Sequence, residues 1–346
     1  MTSKLADNTP SVPADPRVTI IVSPRERFEM AIGSLENCLR TADLAFRMVY
    51  VDGGSPKPIA AELKRLTEAA GHTYLRFDGY IAPNYARNAG LPFVETEYVV
   101  FIDNDVAFQP GWLSAMVACA DETGAGLVTP TILVGPSSKA PNLKIHHAGG
   151  ILDLTPTDAG LEMHRRHGFE HLNYPATADQ LVRGETASTE FHVVLARADM
   201  LQEIGEFDTN LVGFTDEIDM AFMARQHGWK IYFEPDAVVV YDVEKPMTWR
   251  EVPYFCLRWS RIKCMRAEKY FYRKWGLAPD FERQRGFLRD HRRHAFPLRR
   301  MQSILGWRFT VTFTSLLCEA IALATEPKFI RPAKKAFAGK TPLVAA

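Results

Sequence analysis

Residues 98–105 read Tyr98-Val99-Val100-Phe101-Ile102-Asp103-Asn104-Asp105, an apolar run that ends in two acidic residues. Its first five residues are apolar or aromatic and mostly β-branched or ring-bearing, which predicts a strand buried on both faces. Strands of this kind belong to parallel sheets that carry helices on either side. Because the carboxyl ends of such strands point into the ligand crevice, Asp103 and Asp105 are expected where a substrate binds.

Asp103 and Asp105 are two residues apart, so their carboxylates project to the same side of an extended chain. Two hard oxygen ligands in this arrangement suit Mg²⁺ or Mn²⁺, and phosphate is the usual further partner of such ions. An equally simple interpretation is a turn, because Asp and Asn are common where a strand ends. Both interpretations stay open at this point.

The composition is that of a soluble globular protein without net charge. The 346 residues are 47% hydrophobic and 24% charged, and this balance argues against nucleic acid as the main partner. The five cysteines are scattered without Cys-x-x-Cys spacing, so neither a disulfide framework nor a cysteine zinc site is predicted, and a cytoplasmic location fits. Residues 1–16 are polar and proline-containing, which predicts a disordered lead rather than a signal peptide.

Predicted strands and helices alternate from residue 17 to residue 130. Apolar runs predict strands at Val18–Val22, Phe46–Val51, Tyr74–Phe77 and Leu127–Pro130, in addition to the one described above. Apolar residues at helical spacing lie between them. The predicted fold class is therefore α/β, with a doubly wound, mostly parallel sheet flanked by helices.

Two polar features accompany these elements. Asp52-Gly53-Gly54 closes the second strand, where glycine allows either close approach of the backbone to a flat ligand or a turn with positive φ. Arg87 lies in a predicted helix and offers a planar fork of donors that suits a diphosphate, although solvated surface arginines are the commoner case.

A second group of acidic residues opens a predicted helix. Thr215 is a good N-cap, and Asp216, Glu217 and Asp219 fall in the first turn of a helix that ends at Gly228. The helix dipole favours each acid there by about 0.3–1 kcal/mol, which explains their presence without any catalytic role.

The order of these motifs resembles that of the family 2 glycosyltransferases, which have the GT-A nucleotide-sugar fold. The resemblance covers roughly residues 17–242 and rests on several motifs in sequence order rather than on any one of them. These motifs are Ser23-Pro24-Arg25, Val51–Ser55, Ala86–Gly90, Asp103–Asp105, Leu201–Phe207 and Asp216–Met220. The resemblance implies a nucleotide-sugar-binding half at 17–130 and an acceptor-binding half at 131–244. The change in composition beyond Asp242 predicts a helical extension at 245–346.

Carried over residue by residue, the resemblance implies that Ser23, Arg25 and Asp52 hold the nucleoside. Arg87 would contact the base or the diphosphate. The family commonly has a second acid where this chain has Gly53. The contact with the nucleobase of the donor at that position is therefore missing or is supplied by the backbone.

The resemblance also implies a divalent cation, Mn²⁺ or Mg²⁺, beside the donor. Asp105 would bind this metal, and Asp103 would contact the metal or the ribose. A histidine often follows the Pro-x-Ala strand of the family, whereas this chain has Tyr241-Asp242. Asp242 is therefore the candidate for the remaining oxygen ligand, unless that ligand is absent.

The chemistry implied is transfer of a sugar with inversion in a single displacement. Such a reaction needs a base for the acceptor hydroxyl and a cation for the leaving diphosphate. Alignment with the family places the base at Glu217, and Asp216 is the alternative because the order of the two acids is exchanged.

The acceptor side is assigned to the middle of the chain. Thr189–Leu195 predicts a strand on which Glu190 and His192 share a face, and the matching strand of the family lines the acceptor side. A half-buried strand with a solvated face is the alternative. Asp219 is assigned to the acceptor as well.

Histidines are frequent in this region, and the polar stretch that carries the later ones has no clear periodicity. They invite a zinc hypothesis, but no Cys or paired carboxylate accompanies them at the usual spacing, so surface or acceptor-contact roles are preferred. They are His146, His147, His164, His167 and His171.

The extension is basic and rich in aromatic residues. Residues 250–300 contain fifteen Lys or Arg against five acidic residues. An anionic membrane surface or a lipid-diphosphate acceptor is favoured over nucleic acid, and a solvated basic helix is the alternative.

Arg308 and Glu319 interrupt the apolar stretch Ile304–Leu323, which predicts a docked or interfacial helix rather than a membrane span. Peripheral attachment to the inner membrane face is therefore a hypothesis.

The predicted function is therefore metal-assisted, inverting transfer of a sugar from a nucleotide-diphosphate donor to a hydroxyl of a glycan or lipid-linked glycan. A nucleotide-sugar-binding protein without turnover is the first alternative. A nucleotidyltransferase is the second, although the chain has no glycine-rich phosphate loop followed by lysine. The sequence leaves the sugar, the base and any oligomeric state open.

Overall fold

The structure is a computed structural model that describes residues 15–158, 160–212, 215–245, 247–278, 313 and 315–325. Nearly all of the predicted disordered lead lies outside these ranges. The second half of the basic block and the first part of the predicted Ile304–Leu323 helix also lie outside them.

Within the described residues, ten strands form one sheet and two strands form a separate hairpin. The strands are β1 (Val18–Ser23), β2 (Phe46–Gly53), β3 (Thr73–Phe77), β4 (Tyr98–Asp103), β5 (Val106–Phe108), β6 (Leu127–Gly135), β7 (Lys144–His147), β8 (Gly150–Thr157), β9 (Gly160–His167), β10 (Gly184–Glu185), β11 (Val193–Arg197) and β12 (Ile231–Asp242). The main path of the large sheet is β10-β12-β6-β11-β4-β1-β2-β3, with β5 paired to β12 and β7 paired to β6.

Helices cover both faces of this sheet. They are α1 (Phe28–Thr41), α2 (Lys57–Ala69), α3 (Pro83–Gly90), α4 (Trp112–Thr123), α5 (Tyr174–Thr177), α6 (Ala198–Ile204), α7 (Asp216–Gln226), α8 (Val252–Arg258) and α9 (Arg261–Trp275). A further helical segment occupies 315–325.

Strand β4 lies near the middle of the sheet and is buried along its whole length, as its sequence predicts. Val100 and Ile102 pack into the core on the α1 and α4 side, whereas Val99 and Phe101 pack into the core on the α6 and α7 side. Burial of each such side chain contributes about 1.5–3 kcal/mol, so both cores hold β4 in place.

The register of β4 with its neighbours determines which residues meet at the carboxyl edge of the sheet. β1 and β2 run parallel to each other, as do β2 and β3, and β1 pairs with β4 in parallel so that Ser23 lies opposite Asp103. On the other side, β11 runs antiparallel to β4, with Val193 opposite Ile102. The start of β11 therefore faces the end of β4.

The Asp-Asn-Asp segment is a turn that connects β4 to a short strand, β5, which the sequence did not predict. β5 pairs antiparallel with the end of β12, with Val106 opposite Tyr241. The carbonyl of Asp105 accepts a hydrogen bond of 2.9 Å from the backbone N–H of Asp242. The turn and the proposed ligand position are thus compatible interpretations of the same residues.

The structure adds one element to the middle of the chain and corrects the bounds of another. The polar stretch without clear periodicity is the β8–β9 hairpin, in which Leu154 lies opposite Met163. The strand predicted at Thr189–Leu195 begins only at Val193, and Glu190 and His192 lie in the preceding segment. Its backbone is nevertheless tied to β4, because the Asp103 N–H donates to the His192 carbonyl at 3.0 Å.

The described part of the extension packs against the sheet domain. The side chain of Glu319 accepts a 2.6 Å hydrogen bond from the Ser260 hydroxyl, and Cys318 and Ile321 contact the apolar cluster around Phe255. The described part of the predicted Ile304–Leu323 helix is therefore docked, which is one of the two states predicted for it. In the described ranges no helix combines the length and hydropathy that crossing a bilayer requires.

Gly53 is required by packing at the end of β2. A Cβ atom there would lie 2.7 Å from Ile81 Cγ1 and 2.8 Å from Pro24 Cγ. We expect Gly53→Ala to destabilise the protein by about 1–3 kcal/mol, because overpacking displaces both neighbours. Urea unfolding would measure the change.

The matched control for this experiment is Gly33→Ala. Gly33 lies on α1, and a Cβ there has no heavy atom within 4 Å. This change should stabilise the helix by about 0.5–1 kcal/mol. Equal stability of Gly53→Ala and the wild type would contradict the packing argument.

Candidate active site

One cavity of about 530 Å³ lies at the carboxyl edge of β1 and β4. Its wall combines the turn after β1, the turn after β4, the segment before β11, the start of α7, the β8–β9 hairpin and the helical extension. The lining residues are Arg25, Glu26, Asp103, Asp105, His146, Met163, Arg165, Arg166, His167, Glu170, Glu190, Phe191, His192, Thr215, Asp216, Glu217, Ile218, Tyr241, Arg258, Trp259, Glu268 and Tyr272.

Asp103 is held by residues from the end of β1. Arg25 Nε lies 2.7 Å from Asp103 Oδ2, and the Ser23 hydroxyl donates to Asp103 Oδ1 at 3.3 Å. The backbone N–H of Arg25 donates to the Asn104 side chain at 2.9 Å. Two predicted site residues, Ser23 and Arg25, therefore both contact a third, Asp103.

Asp105 differs from Asp103 because one of its two carboxylate oxygens has no hydrogen-bond partner among the described residues. Its Oδ1 atom is buried and makes no hydrogen bond within the described residues. Burial, reinforced by the charge of Asp103, raises the pKa of Asp105 to about 6. An unpaired, buried carboxylate oxygen is costly unless a cation or donor binds it, so this atom fits a cation ligand.

Asp216 begins α7 and is neutralised from behind by a buried arginine. Arg87 Nη1 donates to Asp216 Oδ2 at 2.5 Å and to Asn84 Oδ1 at 2.7 Å, while the guanidinium lies 3.9 Å from the centre of the Phe191 ring. Burial by itself would raise the pKa of Asp216, but Arg87 and Arg25 lower it. Asp216 is thus kept ionised and bound.

Glu217 is the neighbouring acid, and its electrostatic state is the opposite. Arg165 Nη1, from β9, donates to Glu217 Oε1 at 2.5 Å. Burial nevertheless raises the pKa of Glu217 to about 7, because Asp216 and Glu190 add negative charge that offsets Arg165. A carboxylate with a pKa near neutrality is suited to accept a proton at physiological pH.

Glu190 and His192 form an ion pair beside these acids. His192 Nδ1 donates to Glu190 Oε1 at 3.1 Å, and Arg165 Nη2 donates to Glu190 Oε2 at 3.1 Å. Burial disfavours charge on both residues, but their mutual interaction raises the pKa of His192 and lowers that of Glu190. Burial lowers the pKa of the adjacent His146 to about 3, which keeps its imidazole neutral.

Five of the predicted site residues lie outside the cavity lining, and one of them, Ser23, contacts the lining residue Asp103. Asp52 accepts hydrogen bonds from the Ser55 N–H at 3.0 Å and from the Tyr74 hydroxyl at 2.6 Å, and it also pairs with Arg76. These partners occupy both of its carboxylate oxygens. Arg87 is fully buried behind Asp216, so its observed contact is with that acid.

Asp219 and Asp242 are the other two. Asp219 pairs with Lys274 at 2.8 Å and accepts a hydrogen bond from Trp275 Nε1, which ties α7 to α9. Asp242 accepts hydrogen bonds from the backbone N–H groups of Ser137 and Glu244. Thr215 precedes α7 with a positive φ of 61°. The predicted N-cap hydrogen bond with its side chain is not formed.

The most important residue that the sequence analysis missed is Arg165, which joins Glu217 to Glu190. Alternation along β9 is the signal that could have indicated it, since Arg165 and His167 are half-buried whereas His164 and Arg166 are exposed. The sequence analysis proposed acceptor binding for the extension but did not single out Arg258 or Trp259 as residues of this cavity. Arg258 and Trp259 line the cavity and are held by Glu26, at 2.7 and 3.0 Å.

A family model described as glycosyl transferase family 2 matches residues 19–204, which is more than half of the chain. The chain belongs to glycosyl transferase family 2. The matched region contains β1 to β4 and the Asp103–Asp105 turn, but it ends before α7. The position of Glu217 in the cavity is therefore an observation of the structure and not of the family match.

Relatives among curated proteins are distant and longer. The chain is 24% identical over 237 residues to pre-mycofactocin glycosyltransferase of Mycobacterium tuberculosis, covering 67% of this chain and 44% of that protein. It is 26% identical over 266 residues to the uncharacterized protein y4gI of Sinorhizobium fredii, covering 75% of this chain and 28% of that protein. The chain thus spans less than half the length of these relatives.

A solved structure supports the fold of this family 2 member. The crystal structure of GalNAc-T7 with UDP, GalNAc and Mn²⁺ aligns with a TM-score of 0.51 at 14% identity, covering 81% of this chain and 55% of that chain. The predicted GT-A architecture, with a mostly parallel sheet flanked by helices and additional C-terminal helices, is confirmed.

The buried pair of Arg87 and Asp216 generates a stability prediction for the family 2 domain. Arg87→Leu would remove the hydrogen-bonded partner of the buried Asp216 carboxylate, and breaking a buried ion pair in this way costs about 3–5 kcal/mol. We expect this loss in urea unfolding at neutral pH. Arg47→Ala is the matched control, since Arg47 and Glu95 form an exposed pair. Its effect should lie within about 0.5 kcal/mol. Comparable losses in both variants would contradict the assignment.

Proposed function

We propose that the chain transfers a sugar from a nucleotide-diphosphate donor to an acceptor hydroxyl, with inversion in a single displacement. The observation that carries this proposal is that Asp105 and Glu217 line the same cavity although they are more than a hundred residues apart in sequence. An inverting displacement needs a charge-stabilising group on the leaving-group side and a base on the other side. Family membership supports the donor class.

Glu217 is proposed as the base in preference to Asp216. A base must accept a proton, and the raised pKa of Glu217, near 7, suits that task. Asp216 is held by Arg87 with a lowered pKa, so it accepts a proton less readily. In this proposal Asp216 and Arg87 fix the start of α7 and orient Glu217.

The donor side is proposed to consist of Ser23, Arg25, Asp103 and Asp105. Asp105, with its unpaired buried oxygen, and Asp103 would hold a divalent cation, Mn²⁺ or Mg²⁺. When bound, such an ion neutralises charge that develops on the leaving diphosphate. Arg25 adds a fixed positive charge beside the same carboxylates.

The acceptor side is proposed to include Glu190, His192 and Arg165. Arg165 connects Glu190 to Glu217, so an acceptor hydroxyl that replaces one of its hydrogen bonds would arrive beside the base. Asp219 is not included, because Lys274 and Trp275 occupy its carboxylate. The division into a donor half at 17–130 and an acceptor half at 131–244 is part of the same proposal.

A glycan or lipid-linked glycan is proposed as the acceptor. The helical extension supports the lipid-linked class, because Trp259 and Tyr272 line the cavity. The docked segment 315–325 also exposes Leu316 and Leu323, with 67% and 59% of their surfaces accessible. Exposed leucines beside basic helices suit contact with an anionic membrane surface.

A binding protein without turnover is the second candidate. It is favoured by the 2.5 Å contact between Arg165 Nη1 and Glu217 Oε1, which occupies one carboxylate oxygen of the proposed base. Product analysis separates the candidates. Release of nucleoside diphosphate from a nucleotide sugar indicates transfer or donor hydrolysis, whereas release of pyrophosphate indicates nucleotidyl transfer. If neither product is released, the protein only binds the nucleotide sugar.

Glu217→Gln should abolish transfer while leaving the affinity for the nucleotide nearly unchanged, because the amide cannot accept the proton.

For the wild type, kcat/KM should rise as the pH increases through about 7, since only the ionised form of Glu217 is a base. The charged groups facing it are Arg165 from β9, Glu190 before β11 and Asp216 on its own helix. Assays of nucleoside diphosphate release, across a panel of nucleotide sugars, would measure both effects.

The control is Glu36→Gln, which changes an exposed acid on α1 in the same way. It should keep wild-type kinetics. Turnover retained by Glu217→Gln, or a pH profile without a rise near neutrality, would reject Glu217 as the base.

Asp105→Ala should remove the metal-dependent part of nucleotide binding, because the unpaired oxygen is lost. Calorimetric titration with UDP and GDP, in Mn²⁺ and in a chelator, would measure this part. Asp158→Ala, at the exposed tip of the β8–β9 hairpin, is the matched control. Identical titrations of Asp105→Ala and the wild type under both conditions would exclude the metal role of Asp105.

A further inference from the structure

A second group of potential metal ligands, which does not include the two aspartates, lies in the same cavity. His146, Glu190 and His192 each offer one ligand atom, and these three atoms lie within 4.8 Å of one another. His146 comes from β7, while Glu190 and His192 come from the segment before β11. All three line the cavity, so an ion among them would be reached from solvent.

The spacing of these atoms is close to what a bound ion requires. Tetrahedral ligands at about 2.1 Å from zinc lie about 3.4 Å from one another. His192 Nδ1 and Glu190 Oε1 are already 3.1 Å apart. The third ligand, His146, has its ring centre 5.3 Å from that of His192, and its ligand atom lies within 4.8 Å of the other two.

The surroundings resemble the outer shell of a metal site. Arg165 donates to Glu190 Oε2, which leaves Oε1 as the oxygen directed at His192. Hydrogen bonds of this kind orient ligating carboxylates. The backbone also fixes the position of His192, since its carbonyl accepts a hydrogen bond from the Asp103 N–H.

The donor set differs chemically from the aspartate pair. Two imidazole nitrogens and one carboxylate oxygen suit zinc and similar transition-metal ions, whereas carboxylates alone suit Mg²⁺ and Mn²⁺. Three protein ligands leave a fourth position for water or a substrate oxygen. The two sets therefore select different ions within one cavity.

We propose that His146, Glu190 and His192 form a binding site for a zinc-type divalent cation, separate from the site at Asp103 and Asp105. The ion connects β7 to the segment before β11 and fixes the floor of the cavity beside Glu217. Its open position faces the cavity and is available to an oxygen of the acceptor. The site does not depend on the proposed transferase activity.

The test uses the full-length chain after removal of metal with a chelator. Titration with Co²⁺, followed by its visible absorption bands, should show one equivalent bound with nitrogen and oxygen ligands, and Zn²⁺ should displace it. A double variant, His146→Ala with His192→Ala, should lose this binding while keeping the wild-type circular dichroism spectrum. His164→Ala, which changes an exposed histidine on β9, should bind Co²⁺ as the wild type does.

Asp105→Asn separates this site from the one proposed for the donor. Co²⁺ binding should persist in Asp105→Asn, and Mn²⁺-dependent nucleotide binding should not. Absence from the wild-type protein of the Co²⁺ bands typical of nitrogen ligands would overturn the inference, as would bands of this kind that survive in the double variant or disappear in Asp105→Asn. None of these results depends on turnover, so the inference and the proposed function fail independently.

Discussion

The pairing of β4 with β1 on one side and β11 on the other is the constraint on which the cavity depends. It places Ser23 opposite Asp103 and joins the Asp103 N–H to the His192 carbonyl. Residues from three distant parts of the chain thereby meet at one edge of the sheet. The apolar cores on both faces of β4 maintain this register, because a shift by one residue would turn its buried side chains to the opposite faces.

The cavity concentrates charge in a buried environment, and two arginines make this possible. Arg87 compensates Asp216 from behind the wall, and Arg165 joins Glu217 to Glu190 within it. Burial of an unpaired carboxylate is expensive, so acids this close together require such partners. The two acids differ in how far their partners offset burial. Arg87 and Arg25 lower the pKa of Asp216, whereas Arg165 does not outweigh burial and the nearby acids at Glu217, whose pKa is near 7.

The helical extension is part of the site rather than an independent appendage. Glu26, which follows the Ser23-Pro24-Arg25 turn, binds Arg258 and Trp259, and α9 contributes Glu268 and Tyr272 to the cavity. The charged and aromatic residues of this region therefore have packing partners that its composition did not indicate. The same helices hold Asp219 through Lys274 and Trp275, which removes that acid from the cavity.

The sequence by itself determined the α/β class, the buried strand β4 and the position of Asp103 and Asp105 at its end, because periodicity and strand length are local properties. It also placed Asp216, Glu217 and Asp219 in the first turn of a helix, whereas the choice of Glu217 among them came from the family resemblance. Only the tertiary structure decided that Arg165 faces Glu217, that His146 meets Glu190 and His192, and that Asp52 is occupied by Tyr74 and Arg76. These contacts join residues 22 to 52 positions apart, and such pairings depend on sheet order and hairpin register rather than on any local pattern.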